Sequence, residues 1–269
     1  MDYKNKTALV TGAANGIGKA IAQSLYNKGC NVVFCDIQRN VLQEIYSQYD
    51  ANRVLILQLN VCQPKDWEFV CHQTKTKFGS IDFLLNIAGV IEPGFIYKTP
   101  IEMIDRQIDI NLKGTIYGVQ VVSKEMVKQK SGHIVNISSM AGLAPVSGLT
   151  IYSATKFGIR GFSLSIAQEL YAFGINVSVI CPDAVKTNML DYQSDKKEAA
   201  MTFSAGKYLT VEDLTQSIIS VLEKPKFEVW LPKSRGILAT IGALFPGLAL
   251  KLTKKLQQKG LKKQDKYKI

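Results

Sequence analysis

Residues 7–26 read TALVTGAANGIGKAIAQSLY, a short apolar run that passes through a glycine-rich turn into a helical pattern. The apolar run over 7–11 predicts a buried strand, and the residues from Lys19 onward predict a helix. Glycines at 12, 16 and 18 let the backbone turn tightly at the positive end of that helix, where a pyrophosphate binds well. The stretch therefore predicts a nucleotide-binding turn, and the alternative is a tight strand-to-helix connection with no ligand.

The same alternation of short apolar runs and longer helical patterns continues along the chain. Strands are predicted at 7–11, 31–36, 53–59, 81–86, 133–138, 175–180 and 227–231. Near-continuous apolar strands separated by helices are typical of a parallel sheet covered on both faces. The pattern predicts an α/β fold, a Rossmann-type doubly wound parallel sheet with strand order 3-2-1-4-5-6-7. This domain covers residues 1–232, and a C-terminal helical extension covers 233–269.

Composition narrows the class of protein. The five cysteines of the 269-residue chain form no C-x-x-C pair, and the first residues lead into a strand without a secretory h-region, so a reducing cytoplasm is expected. Of the net charge of +11, the segment 251–269 supplies most, with eight lysines and one aspartate. The rest of the chain is mildly basic, and nucleic acid is not an expected partner. His72 and His133 lack ligand partners at useful spacing, so no metal site is expected.

Chemistry-bearing side chains are grouped in the run SMAGLAPVSGLTIYSATK, from Ser139 to Lys156. On a helix, Tyr152 and Lys156 lie one turn apart on the same face. An ammonium beside a phenol favours the phenolate, so Tyr152 is predicted to exchange a proton with a substrate oxygen that Ser139 holds. The alternative is a helix that carries Tyr and Lys at this spacing by chance.

Further polar residues follow the predicted strands. Asp36 ends the second strand, where a carboxylate can accept hydrogen bonds from an adenosine ribose or cap the next helix. Its charge disfavours a 2′-phosphate and so predicts NAD rather than NADP, while nearby Arg39 acts in the opposite direction. Asn60 and Val61 follow the third strand beside the expected adenine position. Asn111 lies inside a long helical run, either as a functional amide or as one satisfied locally.

These motifs, in this order and spacing, resemble those of the short-chain dehydrogenase/reductase family over residues 5 to about 232. They are T11-G-x-x-x-G16-I-G18, N86-x-A-G89, Asn111, Ser139 and Y152-x-x-x-K156. The resemblance implies a catalytic tetrad of Asn111, Ser139, Tyr152 and Lys156. In it Tyr152 is the general acid/base, Lys156 holds the nicotinamide ribose and lowers the Tyr152 pKa, and Asn111 positions a water.

With Asp36 at the end of the second strand, the expected cofactor is NAD, and NADP is the less favoured nucleotide. The residues implied to bind it are Gly12, Asn15, Gly16, Ile17, Gly18, Asp36, Asn60, Val61, Asn86, Ala88, Gly89, Tyr152, Lys156, Pro182, Val185 and Thr187. Three positions depart from the family pattern: Asn60 replaces the usual Asp, Ile87 a frequent Asn, and Asp183 a glycine. Because that glycine permits an unusual backbone, Asp183 is expected to adopt it at a cost or to change the loop.

Two segments bear on what the protein binds: the loop over 188–209 and the C-terminal extension. Residues 188–209 lie where the family has a mobile lid, and their apolar side chains either face a lipophilic substrate or pack within the lid: Met189, Leu190, Tyr192, Met201 and Phe203. Residues 236–250 carry no charge, are too short as a helix to span a bilayer, and precede the lysine-rich end. Apolar residues recur there at helical spacing, at Ile237, Ile241, Leu244, Leu248, Leu252 and Leu256. This pattern predicts peripheral binding of 236–269 to an anionic membrane surface, or else a helix that covers the cleft or a subunit interface.

The sequence thus predicts an NAD-dependent oxidoreductase that interconverts a secondary alcohol and a ketone, on a lipophilic small molecule. The alternatives are an NADPH-dependent carbonyl or 3-oxoacyl reductase on the same scaffold and, in another class, a non-catalytic cofactor-sensing or membrane-docked protein. The resemblance further implies a homodimer or homotetramer formed through the helices around 101–126 and 152–172. Candidate interface residues are Val119, Val122, Phe162 and Ile166.

Overall fold

A computed structural model of the chain describes residues 1–205 and 207–267. Gly206, in the predicted lid, and residues 268–269, at the end of the predicted extension, lie outside the described residues. The strands form one seven-stranded parallel sheet in the order β3-β2-β1-β4-β5-β6-β7. They are β1 (Thr7–Thr11), β2 (Asn31–Asp36), β3 (Val54–Gln58), β4 (Phe83–Asn86), β5 (Gly132–Ile137), β6 (Ile175–Pro182) and β7 (Glu228–Leu231). The predicted fold class and strand order are confirmed.

Helices lie between the strands and at the C-terminus. They are α1 (Gly16–Asn27), α2 (Arg39–Tyr46), α3 (Pro64–Phe78), α4 (Ile101–Gln107), α5 (Gly114–Gln129), α6 (Thr150–Tyr171), α7 (Asn188–Asp191), α8 (Val211–Glu223), α9 (Lys233–Leu244) and α10 (Pro246–Tyr267). The long helical run predicted at 101–126 is interrupted by a π-helical segment over Ile108–Lys113, which joins α4 to α5. Single π-turns of this kind often occur at functional sites.

Two apolar layers cover the sheet. On one face, Val10 and Phe34 pack with buried residues of α1 and α8 such as Ile21 and Ile218. On the other face, alternate residues such as Leu9 pack with side chains of α3, α5 and α6. Successive strand residues point to opposite faces, so the central strands are buried on both faces, whereas the edge strands β3 and β7 are mostly half-buried. Because the sheet is parallel, the carboxyl ends of β1, β2, β4 and β5 lie together at one edge of the sheet.

The apolar layer formed with α3, α5 and α6 shows that part of the predicted subunit interface is wrong. Val119, Val122 and Ile166, which the sequence assigned to a subunit interface, are 3%, 0% and 7% exposed within the single chain. They pack in its core beside Leu84 and Ile134. These three residues are therefore not available to a partner, and assembly as a homodimer or homotetramer stays a prediction.

The extension is two helices that pack against the body of the protein. The first, α9, begins at Lys233, and its Gly236 lies where an added Cβ would be 2.5 Å from Cβ of Trp230. A break at Phe245 separates it from α10, so the apolar residues predicted as one continuous stripe lie on two helices. In the part of the chain that the structure describes, no helix has both the length and the apolar character needed to cross a bilayer.

The inner face of α10 lies on the lid. Gln264, 4% exposed, donates from its side-chain amide to the backbone oxygens of Gln193 and Lys196, each at 2.8 Å. The Tyr267 hydroxyl donates to Asp191 at 2.6 Å, and its ring packs against Phe203. This packing places α10 on the lid beside the expected cleft, and binding of the extension to a membrane surface or at a subunit interface stays a prediction.

Gly260 sets how closely α10 approaches the lid, because an added Cβ would lie 1.8 Å from the carbonyl oxygen of Ala200. We expect Gly260→Val to displace α10 and to destabilise the protein by about 1–3 kcal/mol, the usual cost of overpacking. Denaturant unfolding and limited proteolysis within 188–205 measure the two effects. Gly242→Val in α9, where a Cβ meets nothing within 4 Å, is the matched control. Equal behaviour of the two variants would contradict the close contact.

Candidate active site

The glycine-rich turn lies between β1 and α1, at the carboxyl edge of the sheet. Gly12 and Gly16 have φ values of +69° and +49°, which residues with a Cβ rarely adopt. At Gly18 a Cβ would lie 2.1 Å from the carbonyl oxygen of Gly12, so the turn has no room for a side chain there. Asn15 is the exposed N-cap residue and makes no side-chain capping bond, while Ile17 packs against the core. This cradle of free backbone fits a pyrophosphate at the start of α1.

Two other predicted cofactor segments meet this turn. A Cβ on Gly12 would lie 3.1 Å from the backbone of Ala88, and one on Gly16 would lie 3.5 Å from the Thr187 methyl group. Thr11, to which sequence reasoning gave no role, makes the first connection. Its hydroxyl accepts hydrogen bonds from the backbone N–H groups of Ile87 and Ala88, at 3.0 and 3.1 Å. The segments 11–18, 86–89 and 185–187 therefore form one continuous surface.

Asp36 closes this surface at the end of β2. Its carboxylate accepts a hydrogen bond from Ala14 N, in the glycine turn, at 3.1 Å and one from Gln38 N at 3.0 Å. The second bond is local, to the residue before α2, and it caps none of the N–H groups of the helix, which differs from the capping alternative. The first bond holds the negative charge beside the turn, as the ribose-binding interpretation requires. Arg39 begins α2 and is exposed.

The residues after β3 are engaged in local contacts. The Asn60 side chain accepts from Cys62 N at 3.1 Å, and its own backbone N–H donates to Asp66 at 3.0 Å. The carbonyl of Val61 accepts from the Trp67 indole at 3.0 Å. These bonds fix the backbone that follows β3 and leave the predicted adenine contact of Asn60 and Val61 as a prediction.

The four predicted tetrad residues come from three parts of the fold: the π-helical segment, the end of β5 and α6. Ser139 follows β5, and Tyr152 and Lys156 lie in the first two turns of α6. Lys156 is 6% exposed, and its ammonium donates to the carbonyl of Ile137 at 2.9 Å. That ammonium lies 5.4 Å from the centre of the Tyr152 ring. Helical spacing thus brings phenol and cation together, as the sequence predicted.

Burial sets the protonation of this pair. It lowers the pKa of Lys156 to about 8, because an ammonium loses hydration in the interior. It raises the pKa of Tyr152 to about 12, and the interaction with the Ser139 hydroxyl lowers the pKa by less than burial raises it. The predicted lowering of the Tyr152 pKa is therefore wrong for this environment, because desolvation outweighs the favourable contact. At neutral pH the phenol is protonated and the lysine is a cation.

Asn111 lies in the π-helical segment and is fully buried. Its amide accepts from Val90 N at 2.7 Å and donates to Val90 O at 2.9 Å and to the Thr155 hydroxyl at 3.2 Å. A Cβ on Gly89 would lie 3.2 Å from the Asn111 oxygen and 3.9 Å from the Lys156 ammonium. Asn111 is thus satisfied locally, as one alternative predicted, and it borders Lys156.

Asn86 belongs to a buried polar chain that sequence reasoning missed. Its amide donates to Asn136 on β5 at 2.8 Å, and Asn136 donates to the Ser163 hydroxyl on α6 at 2.9 Å. The Asn86 side chain therefore links the sheet to α6, and it is the backbone after it that reaches the glycine turn. Polar residues in otherwise apolar strands were the available signal for this chain.

The loop after β6 departs from the expected backbone. Positive φ values occur in the described residues at several glycines, Asn5 and Lys130, and Asp183 is not among them. Its N–H donates to Leu231 O at 2.8 Å, and its carboxylate pairs with Arg235 of α9 at 2.5 Å. Of the two expected outcomes, the altered loop is the one observed. Pro182 ends β6, and Val185 is buried, so both shape the loop from within.

The lid residues divide into two groups. Leu190 and Phe203 are 2% and 0% exposed and pack inside the lid. Met189 and Tyr192 are 36% and 45% exposed. The Tyr192 hydroxyl donates to Glu92 at 2.6 Å and so joins the lid to the loop after β4.

This geometry defines a class of protein: a dinucleotide-binding α/β fold with a Ser-Tyr-Lys site at the carboxyl edge of its sheet. The family model of short chain dehydrogenases matches residues 6–198. An uncharacterized oxidoreductase of Staphylococcus saprophyticus is 32% identical over 228 residues, which are 84% of this chain and 94% of that protein. The diacetyl reductase [(S)-acetoin forming] of Staphylococcus epidermidis is 37% identical over 190 residues, which are 70% of this chain and 74% of that protein. A solved structure described as ElxO with NADP bound has a TM-score of 0.75 at 25% identity, covering 84% of this chain and 96% of its own.

The chain belongs to the short-chain dehydrogenase family, and it is an oxidoreductase of the secondary alcohol/ketone type. The family match ends at residue 198. The end of the lid, β7 and the two C-terminal helices lie beyond it, and with them Arg235, the partner of Asp183. The contact between the loop after β6 and α9 is therefore a feature of this chain that the family match does not include.

The ion pair between Asp183 and Arg235 yields a pH-dependent prediction. Burial raises the Asp183 pKa, and Arg235 opposes that rise, so Arg235→Ala leaves a poorly solvated carboxylate and should cost about 1–3 kcal/mol at pH 7. A raised native pKa means that the native state binds the proton more tightly than the unfolded state. The loss should therefore shrink as the pH falls towards about 4, near the pKa of an unfolded Asp.

Urea unfolding at pH 7 and pH 4 measures this difference. Lys233→Ala, an exposed change in the same helical turn, is the control, and Asp183→Asn added to Arg235→Ala should recover part of the loss at pH 7. An equal loss at both pH values would mean that the arginine acts through packing alone.

Proposed function

We propose that the protein is an NAD(H)-dependent oxidoreductase that interconverts a secondary alcohol and a ketone on a lipophilic substrate. The observation that carries the proposal is the convergence of Ser139, Tyr152 and Lys156 beside the glycine cradle of residues 12–18. A nicotinamide dinucleotide, when bound, supplies the hydride acceptor or donor of this reaction. The remaining chemistry is proton transfer and orientation, for which the chain has its own groups.

Tyr152 carries the proton. Its phenol, with a pKa near 12, is protonated at neutral pH and can donate to a carbonyl oxygen as that oxygen gains charge. The Ser139 side chain accepts from Ala141 N at 3.1 Å, and its hydroxyl lies beside the Tyr152 phenol, where it can orient the same substrate oxygen. The Lys156 cation stabilises the phenolate formed after the transfer. In alcohol oxidation the same groups act in reverse.

Asp36 supports NAD as the cofactor. Its carboxylate borders the glycine turn through the bond from Ala14 N, and a 2′-phosphate brought there would meet like charge. Arg39 and the NADP bound in the ElxO structure support the second candidate, an NADPH-dependent carbonyl or 3-oxoacyl reductase. The name of the diacetyl reductase relative supports carbonyl reduction under either cofactor.

A lipophilic substrate is supported by the exposed apolar side chains of the lid and its neighbourhood. Met189 and Tyr192 are open on the lid, and Ile96 and Tyr97, in the loop after β4, are 51% and 77% exposed. Burying such side chains against a ligand removes apolar area from water. A panel of hydrophobic secondary alcohols and ketones, followed by absorbance of the reduced cofactor, tests this part of the proposal.

The proton-transfer role of Tyr152 predicts a sharp separation of chemistry from binding. Tyr152→Phe should lower kcat by about 10²–10⁴-fold, the usual contribution of a positioned acid/base, with the cofactor Kd nearly unchanged. Lys156→Ala should damage both, because it removes the buried cation. Cofactor fluorescence titration and steady-state rates measure the two quantities. Tyr171→Phe, an exposed change at the far end of α6, is the control. Substantial turnover in Tyr152→Phe would refute the role.

The proposed role of Asp36 predicts a change in cofactor preference. Asp36→Asn removes the charge and keeps an oxygen that can accept from Ala14 N, so the ratio of the NADPH to NADH dissociation constants should fall about tenfold, or ~1.4 kcal/mol. Asp36→Ala should lower it similarly and weaken both nucleotides, since the bond to the turn is lost as well. Titration of each nucleotide measures the ratio. Wild-type protein that binds NADPH more tightly than NADH would favour the second candidate.

A further inference from the structure

The outer face of α9 is apolar and open to solvent. Its exposed side chains recur at helical spacing and are 46% to 70% exposed: Ile237, Leu238, Ile241, Leu244 and Phe245. Residues 236–250 contain no charged side chain. A helix buries such a stripe when it has a partner, and inside this chain α9 uses another face, through Gly236 and Ala239, to contact the body of the protein. We refer to these five residues as the α9 stripe.

The next helix presents charge of one sign. Its inner face is formed by Thr253, Gln257, Gly260, Gln264 and Tyr267, all partly or fully buried. The opposite face carries exposed lysines at helical spacing, which we call the lysine face: Lys251, Lys255, Lys262 and Lys266, flanked by Lys254 and Lys259. Asp265 is the one acidic residue among the described residues of α10. Because the lid holds the inner face, the lysine face has to point outward.

We propose that the α9 stripe and the lysine face together dock the protein on an anionic lipid surface. Apolar side chains of α9 enter the interfacial layer, and the ammonium groups of α10 contact acidic headgroups, which is the arrangement of an interfacial amphipathic segment. The docking crosses no bilayer, since none of the described helices is long and apolar enough to do so. It goes beyond the proposed reaction and does not depend on it.

Charge decides between a lipid surface and a second copy of the chain as the occupant. A two-fold contact over the same surface would place the lysine face of one copy near that of the other, and like charges in contact oppose association. The chain as a whole is also cationic, at +11. An acidic bilayer offers the opposite sign to every one of these lysines, and apolar depth for the α9 stripe.

The test is co-sedimentation of the full chain with vesicles, with no substrate or cofactor added. One set is phosphatidylcholine with about 30% phosphatidylglycerol and the other is phosphatidylcholine alone, each at roughly 50 and 500 mM salt. The wild type should bind the anionic vesicles at low salt, and release should follow the rise in salt. Neutral vesicles should retain about tenfold less protein.

Two pairs of substitutions probe the two parts of the surface. Leu238→Glu with Leu244→Glu interrupts the α9 stripe, and Lys255→Glu with Lys262→Glu reverses two charges of the lysine face. Each pair should lower the partition coefficient about tenfold or more. Matched controls, exposed and remote from both helices, are Ile101→Glu with Phe227→Glu and Lys65→Glu with Lys124→Glu. Circular dichroism confirms that every variant is folded.

Light scattering of the same samples separates the remaining outcomes. Wild-type protein that stays in the supernatant with anionic vesicles at low salt overturns the proposal. If it is then an oligomer that the leucine pair dissociates, a second copy covers the stripe. If it is a monomer, the stripe has neither occupant. The proposal is also overturned if the control pairs weaken vesicle binding as much as the test pairs do. In that case the overall charge of the protein, and not this surface, would explain the binding.

Discussion

The buried ammonium of Lys156 is the constraint around which the site is built. A cation removed from water must be paired or hydrogen-bonded, and Lys156 meets this need through the carbonyl of Ile137 at the end of β5. The Ser138 hydroxyl makes a second bond between the two segments, because it donates to the backbone carbonyl of Lys156 at 2.8 Å. Gly142, in the turn after β5, lies where a Cβ would be 2.7 Å from that same carbonyl, so this turn has no room for a side chain against α6. The position of Tyr152, one turn earlier on α6, follows from this fixed junction.

From this junction, polar contacts extend to the elements that border it. Thr155, next to the lysine, accepts from Asn111, and the same amide holds both backbone groups of Val90. Farther along α6, Ser163 accepts from Asn136, which in turn accepts from Asn86. Buried polar groups are stable when every partner is present. These chains therefore hold β4, β5, α6 and the π-helical segment in one arrangement.

Sequence reasoning identified the strands and their order, because those rest on local patterns. Apolar runs mark strands, and glycine spacing marks the turn at residues 12–18. It did not identify Asn136 or Ser163, because a polar residue in a strand does not reveal its partner on another element. It also joined α9 and α10 into one apolar stripe. The inner face of α10 is largely polar, with Gln257, Gly260 and Gln264, and hydrophobic periodicity cannot detect contacts made by amides and by close backbone approach.

The direction of the Tyr152 pKa shift is another property that local sequence patterns do not predict. Spacing indicates that a phenol and an ammonium meet, but the sign of a pKa shift depends on how much water each loses, and that depends on the whole fold. The same reasoning applies to the extension. Its sequence indicates an apolar stripe and a basic end, whereas its packing shows that one helix holds the lid through Gln264 while presenting lysines outward. The outward lysines therefore belong to the same helix that holds the lid through Gln264 and Tyr267.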